Sequence, residues 1–221
     1  MDTATKKRPA TKRPPTKPTK PRDVSIKLTD EQAATLFRAA RIIAPFASTD
    51  EARAVLCCVR FRSTGTSLLV EATDSCRLAR IELPGFAVDP FDVAIDERWL
   101  VATLPKGKPG NGQFTVTFGE RFTLTDHDAD SVASRKTLTV FPNTDALFDR
   151  NSEQPEMDGE TPRGFNPKYL ASIFKAAQSW PDRYEHAPLV VRHLDPLRPC
   201  FFEVQALAGK LTMLLMPVRL A

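Results

Sequence analysis

The sequence predicts an α+β protein made of repeated strand–helix–strands units with antiparallel sheets. Three observations predict it. Apolar and polar residues alternate along many short segments, as in antiparallel sheets with one wet face. Helix-start signals interrupt these segments at Thr29-Asp30-Glu31-Gln32, at Asp96 and at Asn166-Pro167. The order strand, helix, several strands then recurs, as a weak internal repeat.

Order is expected from Asp23. Val24-Ser25-Ile26-Lys27-Leu28 alternates like a strand. Thr29 and Gln32 form a capping box. The helix it opens carries Ala33, Leu36, Phe37, Ala40 and Ala44 on its apolar stripe and ends at Pro45. Strands are expected at 55–62, 67–72 and 77–83, with a Thr64-Gly65 turn. In the second unit, Phe91-Asp92-Val93-Ala94-Ile95 is a strand and Asp96 caps a short helix carrying Trp99, Leu100 and Leu104. After a Pro105–Gly110 loop, strands return at 113–118, 122–126 and 134–140, with a Gly119-Glu120 turn. Residues 151–163 are polar, contain Pro155, Gly159 and Pro162, and read as a linker. In the third unit Asn166 caps and Pro167 takes the first helical position. Leu170, Ile173, Phe174 and Ala177 make the stripe expected to be buried, and strands follow near 189–193, 200–206 and 211–217.

Charge is distributed unevenly. Residues 1–22 hold eight Lys and Arg against Asp2 alone, a net +7. The remaining residues hold 23 Lys and Arg against 26 Asp and Glu, a net −3. The tail is rich in proline and poor in apolar residues, so it is expected to be disordered. Its charge suits tethering to nucleic-acid phosphates, or equally a solubilising or localisation role. No apolar run reaches the roughly 20 residues of a membrane span, and no secretory signal is evident, so a cytoplasmic location is expected. Cys57, Cys58, Cys76 and Cys200 lack metal or redox spacing and read as small, buried, reduced residues. The three histidines likewise show no metal spacing, and no cofactor is expected.

Two segments carry a family resemblance. One is Leu68-Leu69-Val70-Glu71-Ala72-Thr73-Asp74-Ser75-Cys76-Arg77-Leu78-Ala79. The other is the terminal Leu214-Leu215-Met216-Pro217-Val218-Arg219-Leu220, too apolar to be left undocked. Phe165-Asn166-Pro167-Lys168-Tyr169-Leu170 and Phe141-Pro142-Asn143 add to them in order and spacing. Together they resemble the β sliding clamp of bacterial DNA polymerase III. The resemblance implies the DNA clamp fold, with antiparallel sheets outside and helices lining a ring. Residues 23–150 look like one complete clamp domain and 164–221 like the second half of the last one. Bacterial clamps have three full domains, so a shortened or phage-type clamp is implied.

The resemblance implies a peptide-binding pocket made by Leu56, Thr73, Ser75, Cys76, Arg77, Leu78, Pro142, Leu147, Leu214, Met216, Pro217, Val218 and Arg219. Ser75 and Cys76 replace the family's usual Gly-His. Apolar walls and adaptable methionine suit peptide capture, and Arg77 or Arg219 could pair a carboxylate. It also implies DNA-backbone contacts from Arg38, Arg41, Arg98, Lys106, Lys108, Lys168 and Lys175, which position without reading sequence. Implied partners are double-stranded DNA, a polymerase with other clamp-binding peptides, and a clamp loader. Known clamps close with twelve helices, from two chains or three. Three helices per chain would need four, closing head to tail as a homo-oligomer; a dimer or trimer is the other expectation.

The expected function is thus a DNA sliding clamp, a processivity factor for a polymerase, and not an enzyme. No phosphate loop or nucleophile elbow stands out. The run Asp126-His127-Asp128-Ala129-Asp130 reads as a solvated loop, with a hard-cation site or acid–base groups as the alternatives. The alternatives are a clamp-like adaptor or inhibitor that binds replication proteins without encircling DNA, and a module in which the tail alone contacts DNA.

Overall fold

The computed structural model describes residues 23–86, 88–105, 114–125, 132–138, 141–152, 164–192 and 198–218. The basic N-terminal segment, Lys106, Lys108, the run 126–130, most of the expected linker and Arg219 lie outside these residues.

Three half-units follow one another. The first is β1 (Val24–Leu28), α1 (Asp30–Ile43), β2 (Cys58–Ser63), β3 (Ser67–Thr73) and β4 (Arg77–Pro84). The second is β5 (Phe91–Asp96), α2 (Glu97–Thr103), β6 (Phe114–Phe118), β7 (Arg121–Thr125) and β8 (Val132–Lys136). A further helix, α3 (Asp145–Ser152), precedes the third, which holds α4 (Pro167–Ser179), β9 (Leu189–Arg192), β10 (Cys200–Ala206) and β11 (Gly209–Leu215).

The first two half-units exchange their leading strands. One sheet runs β1-β6-β7-β8, the other β5-β2-β3-β4-β11-β10-β9, and all pairings are antiparallel. The exchange makes the pair one unit with a shared aromatic core. Phe61 of β2 lies 5.3 Å from Phe118 of β6 and stacks at 6.3 Å on Phe122 of β7. The third half-unit joins differently. Its last strand, β11, adds edge to edge onto β4 from Lys210↔Glu82 to Leu215↔Arg77. Gly209 permits this: its φ is +142°, and a Cβ there would meet the Glu82 carbonyl at 2.1 Å. Trp180, fully buried, donates its Nε1–H to the Gly209 carbonyl at 3.0 Å. The apolar faces of α1 and α4 both pack against this sheet in one continuous core.

Local chemistry explains the elements. Thr29 and Gln32 form the capping box, and Asp96 and Asn166 cap α2 and α4. Several expectations are corrected. Val55, Leu56 and Cys57 lie in a 3₁₀ segment, Glu51–Cys57, because Asp50 caps Ala52 and the Leu56 carbonyl accepts from Ser48 at 2.8 Å. β8 ends at Lys136 because Thr137 turns back to the carbonyls of Gly119 and Glu120. β11 stops at Leu215 because Pro217 has no N–H to continue the ladder. The expected linker begins inside a helix, since α3 runs to Ser152. Phe174 is not buried: it is 50% exposed. All four cysteines are free. Cys58 and Cys200 are buried, Cys57 half-buried and Cys76 exposed. Burial pushes the Cys58 thiol up to about 12, which suppresses its thiolate.

The sheet face turned away from α1 carries a charged network. Side chains alternate along strands, so Arg60, Glu71 and Arg80 face opposite to Phe61, Val70 and Ile81. Glu71 is fully buried. It accepts from Arg80 Nε at 2.5 Å, Arg60 Nη1 at 3.2 Å and the Thr144 hydroxyl at 2.8 Å. Asp145 accepts from Arg62 at 2.6 and 2.7 Å and from Arg80 at 2.6 Å. Arg60 also donates to Asp92 at 2.5 and 2.7 Å. Thr144 and Asp145 thereby pin the start of α3 across β2, β3 and β4.

Glu71→Ala leaves Arg60 and Arg80 short of a carboxylate, so it should cost about 3–5 kcal/mol in chemical unfolding. A loss near zero would show that Asp92 and Asp145 carry the arginines without it. The hydrogen bond from Arg62 and the pairing with Arg80 hold the Asp145 carboxyl down at about 2. Because the folded value lies below an unfolded one of about 3.9, this stabilisation is complete above pH ~4 and is lost as pH falls toward 2. The urea midpoint of Asp145→Asn should therefore fall less steeply across that window than the wild type's.

Candidate functional site

The first site lies where the third half-unit meets the first. The Thr73–Arg77 turn is held by its own side chains. Asp74 accepts from the amides of Cys76 and Arg77 at 2.9 and 3.0 Å, and Thr73 donates to the Arg77 carbonyl at 2.8 Å. Ser75 takes a positive φ of 79°, and Arg53 donates to its hydroxyl at 2.7 Å. Leu78 and Leu214 are register partners across β4·β11, and the Met216 amide donates to the Cys76 carbonyl at 2.8 Å. Thr73, Ser75, Cys76, Arg77, Leu78, Leu214 and Met216 therefore converge. Leu56 sits half-buried on the 3₁₀ segment. Pro142 and Leu147 belong to the pinned connection, and Pro217 and Val218 continue from Met216. The Val218 amide donates to the Gly164 carbonyl at 2.8 Å.

The junction is filled from within. Phe148 of α3, Phe201, Leu78 and Leu214 form one small buried cluster, and Leu78 and Leu214 are each only 3% exposed. Arg80 lies 4.1 Å above the Phe148 ring. The apolar surface offered here is instead Leu147, Met216 and Val218, exposed by 44%, 41% and 47%. Sequence reasoning missed α3 and Phe148. The Asn143 side chain that accepts from the Asp145 amide was the available signal.

Arg77 is committed to the junction itself. It donates to Asp74 Oδ2 at 2.9 Å, to the Pro45 carbonyl at 2.6 Å and to the Ser172 hydroxyl of α4. Its guanidinium lies 5.0 Å from the Phe46 ring and 4.8 Å from that of Tyr169. One side chain thus ties the β3–β4 turn, the end of α1 and the start of α4.

The second site is the helix face. A groove of about 500 Å³ runs between α1 and α4, lined by Arg38, Arg41 and Lys175 over Ile42, Phe46 and Ala176. Arg38 pairs with Asp182 and lies 5.2 Å from the Trp180 ring, so its charge is partly offset. Arg41 donates to the carbonyls of Leu104 and Pro105, which leave its positive charge intact. Lys168 and Lys175 are exposed, and no ion pair to either forms among the described residues. Arg98 stands apart on α2 and pairs with Glu51 at 2.8 Å. Among the described residues no cluster could hold a metal ion, and no helix is long and apolar enough to cross a membrane.

No family model matches this chain, and no curated protein sequence matches it. Solved structures do. The DNA polymerase III β subunit of Thermotoga maritima aligns with a TM-score of 0.64 and 16% identity over 96% of this chain and 70% of that one. The Bacillus subtilis DNA polymerase sliding clamp aligns at 0.63 and 17%, covering 94% and 67%. The Helicobacter pylori β clamp, in a complex with carprofen, aligns at 0.66 and 16%, covering 94% and 70%. The fold of this chain is the α+β clamp fold of those β subunits.

Arg77→Ala removes an ion pair, two further hydrogen bonds and two ring contacts at a largely buried site. A loss of about 3 kcal/mol is expected. The loss should be shared by a tryptophan signal from Trp180, because α4 is released as well. An unfolding curve that overlays the wild type's would show that β4·β11 pairing alone holds the third half-unit.

Proposed function

We propose that this protein is a DNA sliding clamp: a non-catalytic processivity factor that encircles duplex DNA and holds partner proteins on it. One observation carries the reading. The sheet passes unbroken from one half-unit to the next through β4·β11, while α1 and α4 lie side by side on one face of it. Repeating that join builds an arc with sheet outside and helices inside. The fold shared with bacterial β subunits supports the same reading.

Each half-unit would give one helix, α1, α2 or α4, to the inner face, so four chains would supply twelve. Arg41, Lys168 and Lys175 would then face the phosphates, with Arg38 and Arg98 contributing less because carboxylates already pair them. Such contacts slide because they read no base. Partner peptides would meet the exposed rim of Leu147, Met216 and Val218, in a segment joined to the Thr73–Leu78 turn through the Met216 amide. A polymerase, other carriers of clamp-binding peptides and a loader are the proposed partners.

Topology gives the test. Protein dissociated by dilution is reconcentrated with a circular plasmid, then washed at about 0.5 M salt, where phosphate contacts alone fail. A clamp stays on the circle and leaves when a single cut linearises it. Release from circle and line alike would overturn encirclement and favour an adaptor that binds replication proteins, or contact by the basic tail alone.

A further inference from the structure

We propose that the third half-unit is completed by the third half-unit of a second copy, the two meeting about a two-fold axis with Phe174 of each packed on β9 of the other.

α1 and α4 correspond position by position, 137 residues apart: cap Thr29 with Asn166, Leu36 with Ile173, Phe37 with Phe174, Ala40 with Ala177. Leu36 and Ile173 are both buried, and so are Ala40 and Ala177. The aromatic pair breaks the rule. Phe37 is 2% exposed and Phe174 is 50% exposed. The difference has a visible cause. Phe37 meets Phe114, edge to face at 5.4 Å, and Phe114 belongs to β6 of the second half-unit. Among the described residues Phe174 has no half-unit opposite it.

The sheet edge repeats the pattern. β9 corresponds to β2, the first strand after the helix. β2 pairs on its outer side with β5, again from the second half-unit. Among the described residues the sheet simply ends at β9. Val191 is the register partner of Phe202, a core residue, so it points to the helix side of the sheet, yet it is 40% exposed. Phe174 and Val191 are thus the helix and strand parts of one open core face.

The occupant follows from what can cover such a face. In this chain the cover is another half-unit, presenting its own post-helix strand to the phenylalanine. The first and second half-units already cover each other. The unit left uncovered in every copy is the third, so two copies satisfy both faces at once. The contact is reciprocal: Phe174 on β9, and β9 under Phe174, the self-complementary arrangement of a two-fold interface.

This deepens the ring reading and rests on it only for the count of chains. Among the described residues β8 is the last strand of its half-unit, as β4 and β11 are of theirs, and it ends the other sheet. Two β8 edges could join antiparallel as β4 and β11 do. A ring of four would then alternate two kinds of two-fold contact instead of closing head to tail.

The test uses the full chain and measures mass by sedimentation. Wild type should associate, and Phe174→Asp and Val191→Lys should each raise the dissociation constant of this contact at least about 100-fold, while Phe174→Leu should not. Phe174 and Val191 are both substantially exposed, so far-UV circular dichroism should be unchanged in each. An equimolar mixture of Phe174→Asp and Val191→Lys should recover association between unlike chains, since one contact becomes Asp with Lys and the other stays Phe with Val. Wild type that remains monomeric at about 50 μM overturns the proposal and points to residues 153–163 of the same chain as the cover. Phe174→Asp that keeps the wild-type mass overturns the proposal and leaves the ring reading standing. Chains that pair through Phe174 but stop at two uphold the proposal and sink only the ring of four.

Discussion

The antiparallel join between β4 and β11 is the constraint on which the rest of the molecule depends. It turns a self-contained pair of half-units and a separate third one into one seven-stranded sheet. It sets α1 and α4 against the same face, which creates the cationic groove between them. It also creates the opposite, outer junction, by bringing Leu214 beside Leu78. Both candidate sites are consequences of one strand pairing, seen from its two sides.

The pairing is reinforced from each side by a different chemistry. On the helix side Arg77 bridges three elements with hydrogen bonds and ring contacts. On the outer side a fully buried glutamate gathers arginines from neighbouring strands and the Thr144 hydroxyl of the connection. Burying so many charges is costly unless every one is paired and hydrogen-bonded. Here nearly all are, although Arg62 Nε is left without a hydrogen-bond partner. Apolar residues could have held the connection at least as strongly. A charged set instead fixes direction and register, because Asp145 must lie between Arg62 and Arg80 and Thr144 must reach Glu71. The result is a connection placed to bring Phe148 over Leu78 and Leu214.

Much of the fold was legible because local signals agreed with tertiary ones. The capping box at Thr29, the Asn166-Pro167 start and the alternation in β1 and along Phe202–Ala206 of β10 each encode their own element. The segment 55–57 was not legible, since Val-Leu-Cys has strand propensity and it is the Asp50 cap upstream, with the Ser48 amide on the Leu56 carbonyl, that curls it. α3 was hidden for a similar reason: it is held by Glu71 and the arginines, distant in sequence. The junction residues were readable through family resemblance alone, because nothing in their spacing announces that Thr73 and Met216 meet. What the resemblance could not convey was occupancy. It implied that Leu78 and Leu214 are open walls and that Arg77 is an available charge. Phe148 covers the former, and Asp74, Pro45 and Ser172 engage the latter. Phe174 is the converse case: its helical periodicity says buried, and burial depends on a surface that periodicity cannot see.

The β4·β11 join also has a history in time. Glu82 and its partner Lys210 are separated by 128 residues. At translation rates of about 5–20 residues per second, β4 waits roughly ten seconds for its neighbour to be made. During that interval the first two half-units can fold, and β4 is a bare sheet edge of the kind that recruits stray strands. Its composition suits the wait. Arg77, Arg80 and Glu82 place charge along the strand, and Pro84 closes it with a residue that has no amide hydrogen to offer. The side chains that later lock the finished junction thus also protect the nascent chain from mispairing before β11 arrives.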